Sequence, residues 1–304
     1  LKNSLTEKSN EFIDVIKTGR THLQDATPIR LGQEFSGYAG QIQKGIERLE
    51  HAKSELSEVA LGGTAVGTGV NTHPEFAEKV CKMLSEKLNI NISETSNHFQ
   101  AQSSLDSIVE TSGVLKTIAV SLMKISNDIR WLGSGPRAGI GEISLPEVQP
   151  GSSIMPGKVN PVIPESVCMA AAQVIGNDTT ISIGGQSGNF EINVMMPICA
   201  FNLLQSIELL STSSLNLSSQ CISGLKATNA GPDMVERGLA IVTTLVPYIG
   251  YDQAASIAKE AQETGKTIKD ISLIRTDIPS DELDKILDAF SMTEPGNGDG
   301  ISVG

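Results

Sequence analysis

An all-α fold built around a bundle of long helices is predicted by three features of this sequence. Apolar residues recur at three- and four-residue spacing over several long stretches, which is typical of helices with one buried face. No stretch shows the strict alternation of a half-buried strand. The chain has 304 residues, of which 39% are apolar and 19% charged, so it is long enough for about two globular domains.

The helical patterns follow one another along the chain, with glycine and proline between them. The expected helices occupy residues 1–19, 35–59, 72–88, 105–132, 165–175, 191–221, 252–263 and 280–290. The stretch 18–31 is expected to be irregular, and Pro197 is expected to kink its helix. The stripe at 105–132 corresponds to about 42 Å of helix, a length that needs partner helices in a bundle or an oligomer.

Two domains are expected. Residues 1–229 are assigned to a central helical-bundle domain that carries the loop 151–161, and residues 230–304 to a small C-terminal helical domain. The first helical stripe opens at Leu1 without a capping residue, so we expect the start of the bundle domain to be truncated. The glycine-rich tail from residue 295 is expected to be disordered.

Composition excludes several function classes. Lys and Arg number 23 and Asp and Glu 35, a formal net charge of −12, so neither nucleic acid nor an anionic membrane is expected as a partner. No apolar run approaches the ~18 residues of a membrane span, and no signal-peptide pattern is present. The four cysteines and four histidines are scattered, so we expect reduced thiols, a cytoplasmic location and no metal.

Residues 133–165 form the most unusual segment of the sequence. They contain six of the 13 prolines, together with several apolar residues that a disordered linker rarely carries. An irregular segment of about 30 residues inside a helical domain is usually functional. In its centre, Lys158 lies near Ser152, where an ammonium would favour an alkoxide or a developing negative charge, and Asn160 offers a donor and an acceptor. A surface turn with a solvated lysine is the alternative.

A second polar cluster surrounds His22, between glycine and proline at 19–28. A histidine in such a loop is suited to general acid or base catalysis near neutral pH, although many loop histidines only make ordinary hydrogen bonds. The glycine-rich stretch 62–69 lacks the Gly-Lys-Ser/Thr ending of a phosphate-binding loop, so we interpret it as a turn between helices.

These segments resemble the fumarase/aspartase superfamily. Residues 151–161 read GSSIMPGKVNP, which is similar to the signature loop of that superfamily. Four further stretches fit, namely GRTHLQDATP at 19–28, GGTAVGTGVNTHPE at 62–75, SLMKISNDIRWLGSGPRAGIGEI at 121–143 and QVIGND…GNFEINVMMP within 173–197. Together they resemble the class II fumarases. His22 and Gly157 stand where aspartate ammonia-lyases typically carry Gln and Ala.

The resemblance implies a long-helix bundle of the fumarase/aspartase type, hydration of fumarate through an aci-carboxylate intermediate, and a role for each matching residue. The implied catalytic residues are Ser152 as the base, His22 in proton transfer through a water, and Glu165 as the partner of that histidine. The implied contacts to the substrate carboxylates are Thr21, Ser153, Lys158, Val159 and Asn160.

The resemblance also implies partners. The substrate is a small dicarboxylate, fumarate or malate, no cofactor is needed, and the active sites are shared among the chains of a homotetramer. Stretches like the S-G-T-Q and H-P-N-D of the family do not occur in these residues, so we expect an N-terminal region to be missing. The expected location is the cytoplasm, or the mitochondrial matrix in a eukaryote. The alternatives are an aspartate ammonia-lyase and a non-catalytic helical assembly fragment.

Overall fold

The computed structural model describes residues 1–149 and 154–295, and most of these residues lie in α-helices. Helices α1 to α12 cover, in order, Lys2–Glu11, Leu31–Glu55, Phe76–Leu88, His98–Ser103, Asp106–Leu132, Val162–Gly185, Met196–Gln220, Ala230–Arg237, Val246–Ile249, Tyr251–Thr264, Ile268–Arg275 and Ser280–Ile286. Short 3₁₀ helices cover Ile222–Gly224, Ala240–Leu245 and Ser291–Thr293. The predicted tail beyond residue 295 lies outside the described residues.

Six short strands accompany the helices. Strands β1 to β6 cover, in order, Ile16–Thr21, Gln24–Arg30, Glu58–Val59, Ser93–Glu94, Ile143–Ser144 and Lys226–Ala227. They form three separate two-stranded sheets, β1 with β2 antiparallel, β3 with β4 parallel and β5 with β6 antiparallel.

The predicted all-α, long-helix fold is confirmed. Helices α2, α5, α6 and α7 have 24 to 27 residues each, and α5 coincides with the predicted stripe to within one residue. The kink predicted at Pro197 is wrong, because Pro197 is the second residue of α7. The first turn tolerates proline, since its backbone N–H groups have no intrahelical acceptors.

The irregular stretch predicted at 18–31 is also wrong, because residues 18–30 lie in the β1–β2 hairpin and Leu31 begins α2. The helix expected at 1–19 is too long for the same reason, since α1 ends at Glu11 and β1 begins at Ile16. The buried positions of β1 are Lys17, Thr18 and Gly19, and the buried position of β2 is Pro28. A strand whose buried residues are polar, glycine or proline shows no apolar alternation. The hairpin therefore leaves no periodic pattern in the sequence.

Two compact units can be distinguished. The first comprises Leu1, Gly40–Asp128 and Val162–Ser219. It contains α3, α4 and α6 with the larger part of α2, α5 and α7. Apolar side chains from three of these helices are fully buried, among them Leu122 and Ile125 in α5, Ile181 in α6 and Leu217 in α7.

A buried polar contact also belongs to the first unit. Asp178 of α6 accepts hydrogen bonds from Ser112 Oγ at 2.8 Å and from Lys116 Nζ at 2.6 Å, both on α5. Because a buried carboxylate is costly without partners, this contact favours one register of the two helices.

The second unit comprises the described residues of Lys2–Ala39, Ile129–Pro161 and Gln220–Gly304. One part of its core is aromatic, with the rings of Phe12 and Phe35 5.4 Å apart and those of Phe35 and Tyr38 5.5 Å apart, both edge to face. A second part gathers C-terminal side chains, including Leu245, Ile257 and Ile271. The domain boundary predicted at 229/230 stays a prediction.

The four cysteines are free, and Cys81, Cys199 and Cys221 are buried. Burial raises the pKa of all three thiols, that of Cys221 to about 12. Among the described residues, no helix combines the length and the apolar character that a bilayer span requires.

Candidate active site

The β1–β2 hairpin presents two of the predicted site residues at its tip. Thr21 pairs with Gln24, which leaves His22 and Leu23 as a two-residue loop. Both loop residues have positive φ, +54° and +59°, as in a type I′ turn. Thr21, His22 and Leu23 are all exposed, so a tightly specified turn holds the imidazole at the surface.

Four charged side chains lie beneath this tip, in the same unit. Arg20 donates from Nη2 to Glu142 Oε1 at 2.9 Å, and Lys17 Nζ lies 3.2 Å from Glu142 Oε2. Lys17 Nζ also lies 3.3 Å from Glu34 Oε2 and donates to the Thr18 carbonyl oxygen at 3.1 Å. We call Lys17, Arg20, Glu34 and Glu142 the hairpin charge cluster.

The segment that leads from α5 to the signature loop is irregular, but several hydrogen bonds hold it in place. Ser134 Oγ donates to the Trp131 carbonyl oxygen and accepts from Ile140 N. The segment then pairs through β5 with β6, and Thr228 Oγ1 donates to the Gly141 carbonyl oxygen at 2.6 Å. These contacts fix the backbone directly on the N-terminal side of Glu142 and at β5.

The signature loop is described only in part. Ser152 and Ser153 lie outside the described residues. Beyond them, Lys158 N donates to the Met155 carbonyl oxygen at 3.2 Å, and Gly157 has φ +80°. The left-handed φ suits glycine, and the turn leaves Lys158 exposed. Val159 is also exposed, and Asn160 is half-buried.

Glu165 lies in the first turn of α6 and is half-buried. It belongs to the first unit, whereas Thr21, His22 and the residues 158–160 belong to the second. Within residues 1–149 and 154–295, the side chains of His22 and Lys158 make no hydrogen bond or ion pair. Both side chains are exposed.

Other features of the described chain lie apart from these residues. A cavity of about 900 Å³ in the first unit is lined mainly by apolar side chains of α2, α5 and α7, and none of the predicted site residues lines it. Across the described part of the chain, no group of three or more His, Cys, Asp or Glu side chains is placed to hold a metal ion.

Sequence reasoning missed Lys17, Glu34 and Glu142. Lys17 and Glu142 are each about 1% exposed, and their ionic partners lie far away in the sequence. The sequence gives one indication of the cluster, since Arg20 and Glu142 each follow a glycine within the stretches 19–28 and 121–143 that resemble the superfamily.

Comparisons with known proteins agree with this arrangement of long helices and loops. A family model described as a lyase matches residues 1–176, and a model described as the fumarase C C-terminus matches residues 241–294. The chain therefore belongs to this lyase family. The resemblance to class II fumarases stated from the sequence is thereby confirmed at the level of the family.

The individual relatives are more specific. A protein of Nitrosomonas europaea named fumarate hydratase class II is 48% identical over 295 residues, which cover 97% of this chain and 64% of that protein. Among solved structures, a fumarate lyase:delta crystallin from Brucella melitensis matches with a TM-score of 0.93 and 43% identity, over 97% of this chain and 64% of that one. A class II fumarase from Schistosoma mansoni matches with a TM-score of 0.92 and 36% identity, over 97% and 65%. The chain spans slightly less than two thirds of the relatives it matches.

Proposed function

We propose that the protein to which these residues belong is a fumarate hydratase, which interconverts fumarate and (S)-malate as in the citric acid cycle. One observation carries the proposal. The GRTH and GSSIMPGKVNP stretches place an imidazole and an ammonium on two exposed turns, and neither group has an internal partner among the described residues. The names of the curated relatives support it.

Electrostatics gives Lys158 a definite part in this proposal. The chain carries a net charge of −12, so a dicarboxylate meets an unfavourable mean field. A local cation must offset that field. Removing the C3 proton of malate adds a negative charge to a carboxylate, and a fixed ammonium stabilises that charge more strongly in a site from which water is excluded. Lys158, with Asn160 and the Val159 backbone, is proposed to bind this carboxylate.

Ser152 is proposed to remove the C3 proton. A serine hydroxyl is a weak base, so this role requires a neighbour that favours the alkoxide, and Lys158 is the cation nearest to it in the sequence. Ser153 and Thr21 are proposed to donate hydrogen bonds to the substrate carboxylates. Their hydroxyls can donate to carboxylate oxygens without bringing further charge.

His22 is proposed to move a proton through a water at the departing hydroxyl, with Glu165 as its partner. An imidazole exchanges protons readily near neutral pH, and a carboxylate beside it would orient the ring and favour its protonated form. In the resemblance, these groups meet when several chains of a homotetramer share one site. The proposed partners are therefore other copies of the same chain.

The exposed faces of α6 and α7 support the homotetramer. These two helices carry only three charged residues between them, Glu165, Asp178 and Glu208. Large apolar side chains are exposed on both, namely Met169 and Ile183 on α6 and Phe201, Leu204 and Leu215 on α7. Exposed apolar surface of this extent favours helix packing against other copies.

The remaining expectations follow from the same proposal. The reaction as proposed needs only acid, base and fixed positive charge, so no cofactor is assigned to it. We propose a cytoplasmic location, or the mitochondrial matrix in a eukaryote, as the resemblance to the class II fumarases implies. Neither nucleic acid nor a membrane surface is assigned as a partner.

The experiment compares two substrates with the protein expressed from the complete open reading frame that encodes these residues. Loss of fumarate absorbance and formation of malate should occur, while aspartate should yield no ammonia. A preference for aspartate would identify an ammonia-lyase instead. Stable tetramers that neither bind nor convert a dicarboxylate would identify a non-catalytic assembly.

A further inference from the structure

The hairpin charge cluster links the two segments that carry proposed site residues in the second unit. Arg20 lies in β1 and directly precedes Thr21, the last residue of that strand, which is followed by the loop residue His22. Glu142 lies 122 residues further along the chain, directly before β5 and nine residues before residue 151. The hydrogen bond from Arg20 to Glu142 therefore joins the base of the hairpin tip to the segment that enters the signature loop.

The cluster has two buried members, Lys17 and Glu142, and two half-buried ones, Arg20 and Glu34, and its charges are balanced. Glu142 is about 1% exposed, as is Lys17, and two cations alternate with two carboxylates in the order Arg20, Glu142, Lys17, Glu34. Each Glu142 oxygen lies near a different cation. Removing the Glu142 charge would take the carboxylate from Arg20 and leave Lys17 with Glu34 alone, and loss of one partner from a buried ion pair is strongly unfavourable.

The contacts of Glu142 with Arg20 and with Lys17 differ in hydrogen-bond geometry, and the contact with Arg20 is the one that constrains the hairpin. Arg20 Nη2 reaches Oε1 with hydrogen-bond geometry at 2.9 Å, whereas the contact of Lys17 with Oε2 is an ion pair without a hydrogen bond. Arg20 also donates to the Thr18 carbonyl oxygen at 3.4 Å, and its Nη2 lies 3.4 Å from Met234 Sδ in α8. Because a guanidinium is planar and several partners hold it, both the orientation of the Arg20 side chain and its distance from Glu142 are fixed.

The backbone on both sides of Glu142 is fixed as well. Its own carbonyl oxygen accepts from Thr228 N at 3.0 Å, and the neighbouring Gly141 carbonyl oxygen accepts from Thr228 Oγ1. Gly141 adopts φ +62°, a conformation that favours glycine. Backbone hydrogen bonds therefore hold Glu142 in place, and the hydrogen bond from Arg20 connects the hairpin to it.

We propose that Glu142 is a positioning residue for the hairpin tip, acting through Arg20 to hold Thr21 and His22 in place for the reaction. This inference rests on the proposed fumarate hydration for its functional meaning, but its structural part is independent of that proposal. Glu142 itself contacts no substrate. A displacement of about 1 Å at a reacting group can cost on the order of 100-fold in rate, so a remote anchor of this kind matters.

The test compares Glu142→Gln with Asp178→Asn in the protein expressed from the complete open reading frame. Asp178 is a matched control, since it is also a buried carboxylate paired with a lysine, but it lies in the first unit. Amide hydrogen exchange is measured over residues 19–24. Glu142→Gln should speed exchange there by about tenfold, because a hydrogen bond to a charged group is lost, while Asp178→Asn should leave it unchanged.

A kinetic readout in the complete protein separates positioning from stability. Glu142→Gln should lower kcat by roughly 100-fold with a smaller change in KM, and Asp178→Asn should leave kcat near the wild-type value. Equal hairpin exchange in the two variants, or an unchanged kcat in Glu142→Gln, would overturn the proposal. An inactive wild-type protein would instead refute fumarate hydration, and the exchange measurement would still decide the positioning role.

A milder substitution covers the case in which Glu142→Gln does not fold. Arg20→Lys keeps the charge but loses the planar fork that reaches Glu142 and the Thr18 carbonyl oxygen together. Faster exchange at residues 19–24 with retained overall fold is expected. Wild-type exchange at these residues in Arg20→Lys would contradict the proposal.

Discussion

Arg20 donates a hydrogen bond to Glu142 at 2.9 Å, although 122 residues separate the two in the sequence. One end of this bond lies next to the exposed Thr21 and His22, and the other lies next to the strand that precedes the signature loop. The pair therefore ties a surface hairpin to a distant segment of the same unit. Its strength comes from burial of the carboxylate among two cations.

Replacing Lys158 tests the electrostatic part of the proposed function. Lys158→Met keeps an unbranched side chain of similar size but removes the charge, so we expect a weaker affinity for dicarboxylate and a kcat lower by about 100- to 1,000-fold. Lys266→Met, at another exposed lysine, is the control and should retain activity. Initial rates of fumarate hydration measure the effect. Wild-type kinetics in Lys158→Met would remove that residue from the mechanism.

The hairpin tip stores backbone strain at Leu23, which has φ +59° and is 65% exposed. Leu is unfavourable in the left-handed region, whereas Asn tolerates it, and little apolar burial is lost on substitution. Leu23→Asn should therefore raise the free energy of unfolding by up to about 1 kcal/mol. Urea denaturation measures the change. A clear loss of stability would show that the Leu23 side chain packs usefully in the native protein.

The cysteines should differ in reactivity. Cys221 is buried and its pKa is raised to about 12, so almost no thiolate is present at pH 8. Cys168 is half-buried, so it should be alkylated first and Cys221 last. Mass spectrometry of peptides after timed iodoacetamide treatment gives the order. The four thiols should react at similar rates in denaturant, and rapid labelling of native Cys221 would contradict the burial.

The start of α11 predicts a pH dependence. Thr267 donates from Oγ1 and from its backbone N to Asp270, and these hydrogen bonds hold the pKa of Asp270 below its ordinary value of 3.8. A lowered pKa in the folded state stabilises the protein above the ordinary value, and this stabilisation is lost as the pH falls through the folded pKa.

Asp270→Ala should therefore destabilise the protein at pH 6, and the difference from wild type should shrink as the pH falls from about 5 to 3. Asp281→Ala, at an exposed carboxylate in the first turn of α12, is the control for the loss of a surface charge at a helix start. Thermal unfolding at several pH values measures both. A difference for Asp270→Ala that does not vary with pH would contradict the assigned hydrogen bonds.

The long helices could be predicted because a 3.6-residue period is unmistakable over 25 residues, as in α5. The hairpin could not, since its buried positions include Lys17, Thr18 and Pro28, which carry no apolar signal. The length of α6 was underestimated, as its glycines and threonines interrupt the apolar period without ending the helix.

Sequence motifs predict the polar loops of the candidate site but not the buried charges beneath the hairpin. His22 and Lys158 stood out because their residue types suit acid–base and anion chemistry within short polar loops. Glu142 and Lys17 did not, because their roles depend on contacts across long sequence separations. Ion pairs of this kind have no local signature, and only the folded chain brings their members together.

The most direct test of the account is the rate of fumarate hydration by the complete protein and by its Ser152→Ala variant, followed through the ultraviolet absorbance of fumarate. Turnover is expected from the wild type, with near-complete loss in the variant and an unchanged circular dichroism spectrum. Equal rates for the two proteins, or no hydration by the wild type, would contradict this expectation.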